Sequence, residues 1–149
     1  MIQELSEEKA RAFLSTCFFG SLGCSAESEM YVVPISFVLD GNRIIGQTKM
    51  GRKVEMMRKN PAVCLECHQV QSVNNWTSVI AWCRYEELSG PEANDAMRKL
   101  IDHFAEMVES LDSNRSPREV SPRTLDGSPQ VDIVYCLHLD KVTGRAELP

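Results

Sequence analysis

Hydrophobic positions recur along this chain in two periods, and the switches between them mark out its elements. Ala10, Phe13 and Leu14 fall three and four apart behind Ser6, which predicts a helix over 6–15. Ser6 would cap the free N–H groups, and Glu7 and Glu8 complement the positive end of the helix dipole. A glycine-bearing strand over 18–25 follows, where Gly20 and Gly23 leave room for something to approach the backbone. Residues 30–39 read as a strand, Asp40-Gly41-Asn42 as a hairpin turn, and 43–48 as the antiparallel return. Pro34 has no N–H to give a ladder, so its place must be an edge, a bulge or a position where no donor is wanted. A short helix over 51–59 stops at Asn60-Pro61, because a residue before proline avoids the helical region. Strands over 62–70 and 76–88 come next, the second so long that it must bend or carry a bulge. Pro91 opens the longest helix, with Met97, Leu100, Ile101, Phe104 and Val108 along one face. Val131, Ile133, Tyr135, Leu137 and Leu139 alternate as a final strand.

The stretch 112–130, holding Pro117, Pro122 and Pro129, is expected to be an irregular loop. Its length is near the limit for a structureless connection and suggests a lid or a dimer arm. The other connections are hairpins and short helices without the regular strand–helix alternation of a doubly wound fold. The chain therefore reads as mainly β with flanking α, folded as an antiparallel barrel.

Composition adjusts this picture only at its edges. A length of 149 residues fits one domain, 1–149, with a buried core. A net charge of −5 without any Lys/Arg run argues against a nucleic-acid surface. No uncharged stretch approaches the roughly 18 apolar residues of a membrane span. The first residues, MIQELSEEKARAF, lack a signal-peptide core. A cytoplasmic protein is expected, its six cysteines free thiols that behave as small buried hydrophobes.

The candidate chemistry begins with Arg52 and Lys53, which fall in the first turn of the 51–59 helix. Cations there face the positive end of the helix dipole, at a cost of a few tenths to about 1 kcal/mol. An anion held by the free N–H groups and these cations reverses the sign, and a phosphate is the obvious one. Gln47, Thr48 and Lys49 adjoin it. The bland alternative is a solvated basic helix.

Cys64-Leu65-Glu66-Cys67-His68 matches a haem-attachment pattern. In a strand, however, residues 64 and 67 point to opposite faces, which spoils both that reading and a zinc site. His103 on the long helix and His138 on the outer face of the last strand read as surface or satisfied core positions. No Gly-x-Ser-x-Gly, Walker or Gly-x-Gly-x-x-Gly motif occurs.

Several short pieces, in order, resemble one family. They are Val33-Pro34-Ile35-Ser36-Phe37, Asp40-Gly41, Gly51-Arg52-Lys53, Asn60-Pro61-Ala62-Val63, Trp76-Thr77-Ser78-Val79-Ile80 and Val142-Thr143-Gly144-Arg145. Together they resemble the split-barrel flavin-binding proteins related to pyridoxamine 5′-phosphate oxidase, in particular the nitroimidazole-reductase-like branch. The resemblance implies an antiparallel split β-barrel of the FMN-binding type, acting as a homodimer with an FMN in each groove between subunits. It implies that Thr48, Arg52 and Lys53 hold the FMN phosphate with Gln47 beside them, and that the backbone of Val33, Pro34, Ile35 and Ser36 faces the ring. For Val33, Ile35 and Phe37 an ordinary core strand is an equal reading. Trp76 and Ser78 would reach the flavin held mainly by the other chain, or Trp76 would simply anchor the interface. His68 would end a strand near the cofactor, as a proton donor or an axial ligand to a non-covalent haem.

The activity implied is oxidoreduction of a small organic substrate, with electron transfer belonging to the flavin. The alternative is a non-catalytic flavin or haem binder serving as carrier, sensor or sink. The chain is shorter than pyridoxamine phosphate oxidases and carries no basic C-terminal substrate motif, so that substrate is not implied.

Overall fold

Ser6 caps the first helix as expected: its Oγ accepts the Lys9 N–H at 3.2 Å. A computed structural model describes residues 1–111 and 132–149, and the expected loop over 112–130 lies outside them. In chain order the elements are β1 (Ile2–Leu5), α1 (Glu7–Ser15), β2 (Phe19–Ala26), β3 (Glu29–Ser36), β4 (Val38–Asp40) and β5 (Arg43–Lys49). They continue with α2 (Arg52–Lys59), β6 (Ala62–Ser72), β7 (Asn75–Leu88), α3 (Gly90–Leu111) and β8 (Asp132–Glu147). Sequence reasoning missed β1, whose four mostly exposed residues carry no alternation to reveal it. They form a strand because β8 runs on to Glu147 and offers them an antiparallel edge.

All the pairings are antiparallel, in the order β3-β2-β6-β7-β8-β5-β4, with β1 added to β8. The ends of this path, β3 and β4, are consecutive in the chain. The run expected as one strand over 30–39 is broken only at Phe37, which is fully buried and donates its N–H to the Phe18 carbonyl at 3.0 Å. One bent strand thus supplies both margins of the sheet and curls it into an antiparallel split barrel. Pro34 sits on the margin, opposite Ser21 in the one ladder that β3 makes among the described residues, so its missing donor costs nothing there.

The expected irregularity of β7 is present, but the extra residues belong to its neighbours. Gln71 is surplus in β6 between the pairs Val70–Trp76 and Ser72–Asn75. Asp140 is surplus in β8 between Trp82–Lys141 and Cys83–Leu139. Each bulge bends the ladder without interrupting β7. Asp40-Gly41 makes the expected tight turn, with Gly41 at φ +60° where a side chain would be strained. What approaches Gly20 is the neighbouring strand β6: a Cβ there would lie 2.8 Å from both Cys67 Sγ and the Glu66 carbonyl.

Leu22, Ile35, Phe37, Ile44, Leu65, Val79, Tyr135 and Leu137 fill the barrel, and α1 adds Ala10 and Leu14 to this core. A second cluster lies outside the wall, where Ala96, Leu100 and Phe104 of α3 cover Ile45 and Cys136. Each fully buried Leu, Ile or Phe contributes roughly 1.5–3 kcal/mol of burial. The helix face differs from expectation by one position. Ile101 is 37% exposed, and Ala96, too small to weigh in a periodicity count, is buried instead. Both faces of β8 are therefore covered, odd positions such as Tyr135 and Leu137 by the barrel interior and Cys136 by α3.

Candidate functional site

β5 leaves the barrel at Lys49, and Met50 and Gly51 carry the chain directly into α2. Gly51 is the N-cap and has no side chain to offer, so no side-chain hydrogen bond closes this helix end. The helix ladder begins with the Glu55 N–H donating to the Gly51 carbonyl at 3.1 Å. The N–H groups of the first turn thus face outward with Arg52 and Lys53 around them.

Here the structure opens a cleft of about 510 Å³. Ser36, Gln47, Thr48, Arg52 and Lys53, five of the residues expected from sequence, line it together. Lys53 is half-buried and, among the described residues, has no ion-pair partner; burial holds its ammonium below the usual lysine range, with a smaller opposing pull from Cys24. Arg52 is exposed, pairs with Glu29 of β3, and lies 5.7 Å from the centre of the Tyr31 ring. The Thr48 hydroxyl donates to the Lys49 carbonyl at 3.1 Å, a weakly held bond open to exchange. The floor and far wall are Tyr31, Met50 and, from α3, Leu100 and Phe104. The hydrophobic period places Leu100 and Phe104 on a core face. They belong to both, and no local signal separates a core position from one at a core's rim.

The other expected residues lie elsewhere in the single chain. Ile35 is buried in the barrel and Val33 packs against the same core. Pro34 borders a shallow groove with Phe19, Glu66 and His68. Trp76 and Ser78 open on a separate cavity of about 770 Å³, shared with Trp82, Lys141 and Arg145. In it the Lys141 ammonium stands 5.1 Å from the centre of the Trp82 ring.

His68 lies within β6 rather than at its end, exposed, with Nδ1 2.9 Å from the Glu66 carboxylate. His103 stacks on Phe18 at 4.3 Å and places Nε2 3.1 Å from the Cys17 carbonyl, so it is a satisfied packing residue. Cys67 is buried in the core whereas Cys64 faces an outer groove beside Trp82, on opposite faces as expected. All six cysteines are free thiols. Among the described residues no helix is long and apolar enough to cross a membrane.

Barrel, bent closing strand and cleft together define a protein of the split-barrel class. The chain belongs to the pyridoxamine 5′-phosphate oxidase family, whose model matches residues 6–146. An uncharacterised protein of Rhizobium meliloti (strain 1021) is 28% identical over 147 residues, covering 97% of this chain and 95% of that one. Among solved structures, a FAD-binding protein of Mesorhizobium loti is similar with a TM-score of 0.75 at 20% identity, covering 97% of this chain and 96% of that one. A candidate 5-nitroimidazole antibiotic resistance protein of Bacteroides thetaiotaomicron is similar with a TM-score of 0.68 at 15% identity, covering 97% and 88%. At these identities the solved structures establish the fold.

Proposed function

We propose that this protein binds FMN in the cleft at the start of α2 and serves as an oxidoreductase for a small organic substrate. The observation that carries this reading is Lys53, a half-buried cation without an anion among the described residues, beside a helix end whose N-cap Gly51 offers no side-chain hydrogen bond. Burying an ammonium unpaired is unfavourable, and a terminal phosphate would relieve it while accepting the free N–H groups. Thr48 and Ser36 supply hydroxyl donors, Arg52 a second cation once it exchanges Glu29 for the ligand, and Leu100 and Phe104 an apolar wall. A single such anion site suits the one phosphate of FMN. The structural relative from Mesorhizobium loti binds FAD, so the two flavins are the natural competitors to compare.

FMN, when bound, supplies the electron transfer. Among the described residues, the ionisable side chains lining the cleft are Tyr31, Lys49, Arg52 and Lys53. The chain's part is then to anchor the phosphate, orient the ring and exclude water.

A second copy of the chain completes the site in this reading. Met30 and Val32 on the outer face of β3 are 88% and 69% exposed, next to the half-exposed Trp82, an apolar strip suited to homodimer contact. Such packing would bring Trp76 and Ser78 of one chain toward the cofactor of the other. The working compartment is the cytoplasm, where the free thiols remain reduced.

Fluorescence titrations with FMN, FAD and riboflavin test the anchor. FMN should bind, and riboflavin, which lacks the phosphate, should bind roughly 10- to 100-fold more weakly, the equivalent of about 1.5–3 kcal/mol for a charged hydrogen-bonded contact. Equal affinity for FMN and riboflavin would sink the phosphate site. Steady-state reduction of nitroaromatics and quinones by the FMN-loaded protein, with NADH or NADPH supplied as the reductant, then separates an enzyme from a carrier, since a carrier binds flavin tightly but does not cycle.

A further inference from the structure

On the opposite side of β5 and β8 from the barrel interior lies a cluster that the flavin reading does not use. Cys136 and His138 stand two apart on β8 and so project to the same face. Glu86 of β7 is the direct cross-strand partner of Cys136. The Cys136 sulfur is 3.3 Å from His138 Nε2, and the same Nε2 is 3.6 Å from Glu86 Oε1. All three potential ligand atoms lie within 4.8 Å of one another.

We propose that Glu86, Cys136 and His138 form a binding site for a borderline-soft divalent transition metal, of which Zn²⁺ is the type. Tetrahedral zinc with bonds of about 2.0–2.3 Å sets neighbouring ligand atoms roughly 3.3–3.8 Å apart. The two measured edges, 3.3 and 3.6 Å, already have that spacing and share the nitrogen that would bind. Thiolate, imidazole and carboxylate are a donor set for zinc rather than for calcium or magnesium, which take oxygen. A thiolate and a carboxylate also balance the dication.

The surroundings support the assignment. Cys136 is buried beneath α3, whereas Glu86 is exposed and His138 half-exposed, so the metal would enter from solvent and meet sulfur at the bottom of the site. Arg43, the cross-strand neighbour of His138 on β5, lies on the same side of the sheet, held by Asp40 at 3.2 Å. A cation close to the site favours the ionised thiolate that would bind the metal. Water reaching the exposed side of Glu86 and His138 would fill the fourth position.

Cobalt(II) is the probe, added to the reduced, FMN-treated full chain and followed by difference spectroscopy. Its tetrahedral ligand-field bands lie at longer wavelength than flavin absorption, and a sulfur-to-cobalt charge-transfer band reports the thiolate. One equivalent per chain is expected, displaced by Zn²⁺. Cys136→Ser should remove the charge-transfer band. His138→Gln, a change at a half-exposed position that leaves the core intact, should weaken Zn²⁺ binding by at least roughly tenfold in a chelator competition. Absence of cobalt bands in the wild-type chain overturns the proposal. So does a band undiminished in Cys136→Ser, which would place the metal on other cysteines, or Zn²⁺ affinity unchanged in His138→Gln. Flavin affinity should be the same in both variants, so that this site and the cleft succeed or fail separately.

Discussion

Gly46 and Tyr135 face each other across the β5–β8 ladder, and the phenol ring occupies the space where a side chain at 46 would begin. A Cβ on Gly46 would lie 2.5 Å from both Cζ and Oη of Tyr135. The ring is fully buried, and its hydroxyl has no hydrogen-bond partner among the described residues. Burial pushes its ionisation far above the usual phenol range. Two outcomes are expected from equilibrium denaturation. Gly46→Ala should destabilise by about 1–3 kcal/mol through overpacking. Tyr135→Phe, which deletes only the unsatisfied group, should be neutral or stabilise by up to about 1–3 kcal/mol. A marked loss of stability in Tyr135→Phe would show that the hydroxyl is satisfied after all.

Lys53 should show opposite signs with and without ligand. Its ammonium is held below the ordinary value of 10.5 by burial, so between its folded value and 10.5 the unfolded chain binds more protons. Stability from this group therefore rises as the pH climbs through that window. Cofactor-free Lys53→Met should be at least as stable as wild type near neutral pH, with the difference between the two shrinking toward pH 10.5. FMN affinity should nevertheless fall roughly 10- to 100-fold in the variant. Denaturation series with and without FMN read both effects.

Acid behaviour should be governed by two surface carboxylates. Glu87 is held below its ordinary 4.5, chiefly by Arg58 with N–O distances of 2.6 and 3.1 Å, and Asp40 below its ordinary 3.8 by Lys99 and Arg43. Depressed carboxylates contribute stability that is complete above those ordinary values and lost as pH falls through the folded ones. The expected result is a decline in stability below about pH 4.5, made shallower in Glu87→Gln and Asp40→Asn. An identical acid limb in both variants would assign the decline to other groups.

A charge on the strip formed by Met30 and Val32 should separate subunits. Val32 points outward from β3, so Val32→Glu leaves the barrel core untouched. Light scattering should report a dimer for wild type and a monomer for the variant, with FMN affinity reduced if the partner chain completes the site. A wild-type monomer would exclude the paired arrangement.

The legible parts of the sequence were those where one residue decides a local outcome. Ser6 as cap, Gly41 at its turn, Pro34 at the margin and Asn60-Pro61 as a helix stop each act within a few residues. That Thr48, Arg52 and Lys53 share one cleft was legible for the same reason, because they sit within one turn of a strand-to-helix junction. What escaped depends on contacts far along the chain. β1 exists because β8 extends to Glu147, and Leu100 joins Thr48 only after α3 folds back over β5. Asp140 and Gln71 take the bulges expected of β7, since a ladder mismatch can be absorbed on either strand. Ala96 replaced Ile101 beneath α3 because packing distance favours the small residue where size alone favours the large one.

The bend at Phe37 has a consequence for how this protein must be handled. Among the described residues the margins of the sheet are tied by chain continuity there instead of by a ladder, and the cleft lies between β3 and β5, on this seam. Main-chain groups along a bare sheet margin readily recruit a strand from another molecule. Under the proposed flavin binding, a preparation made without the cofactor should be the one that clouds, ages and resists concentration, and flavin supplied during expression should be the first remedy.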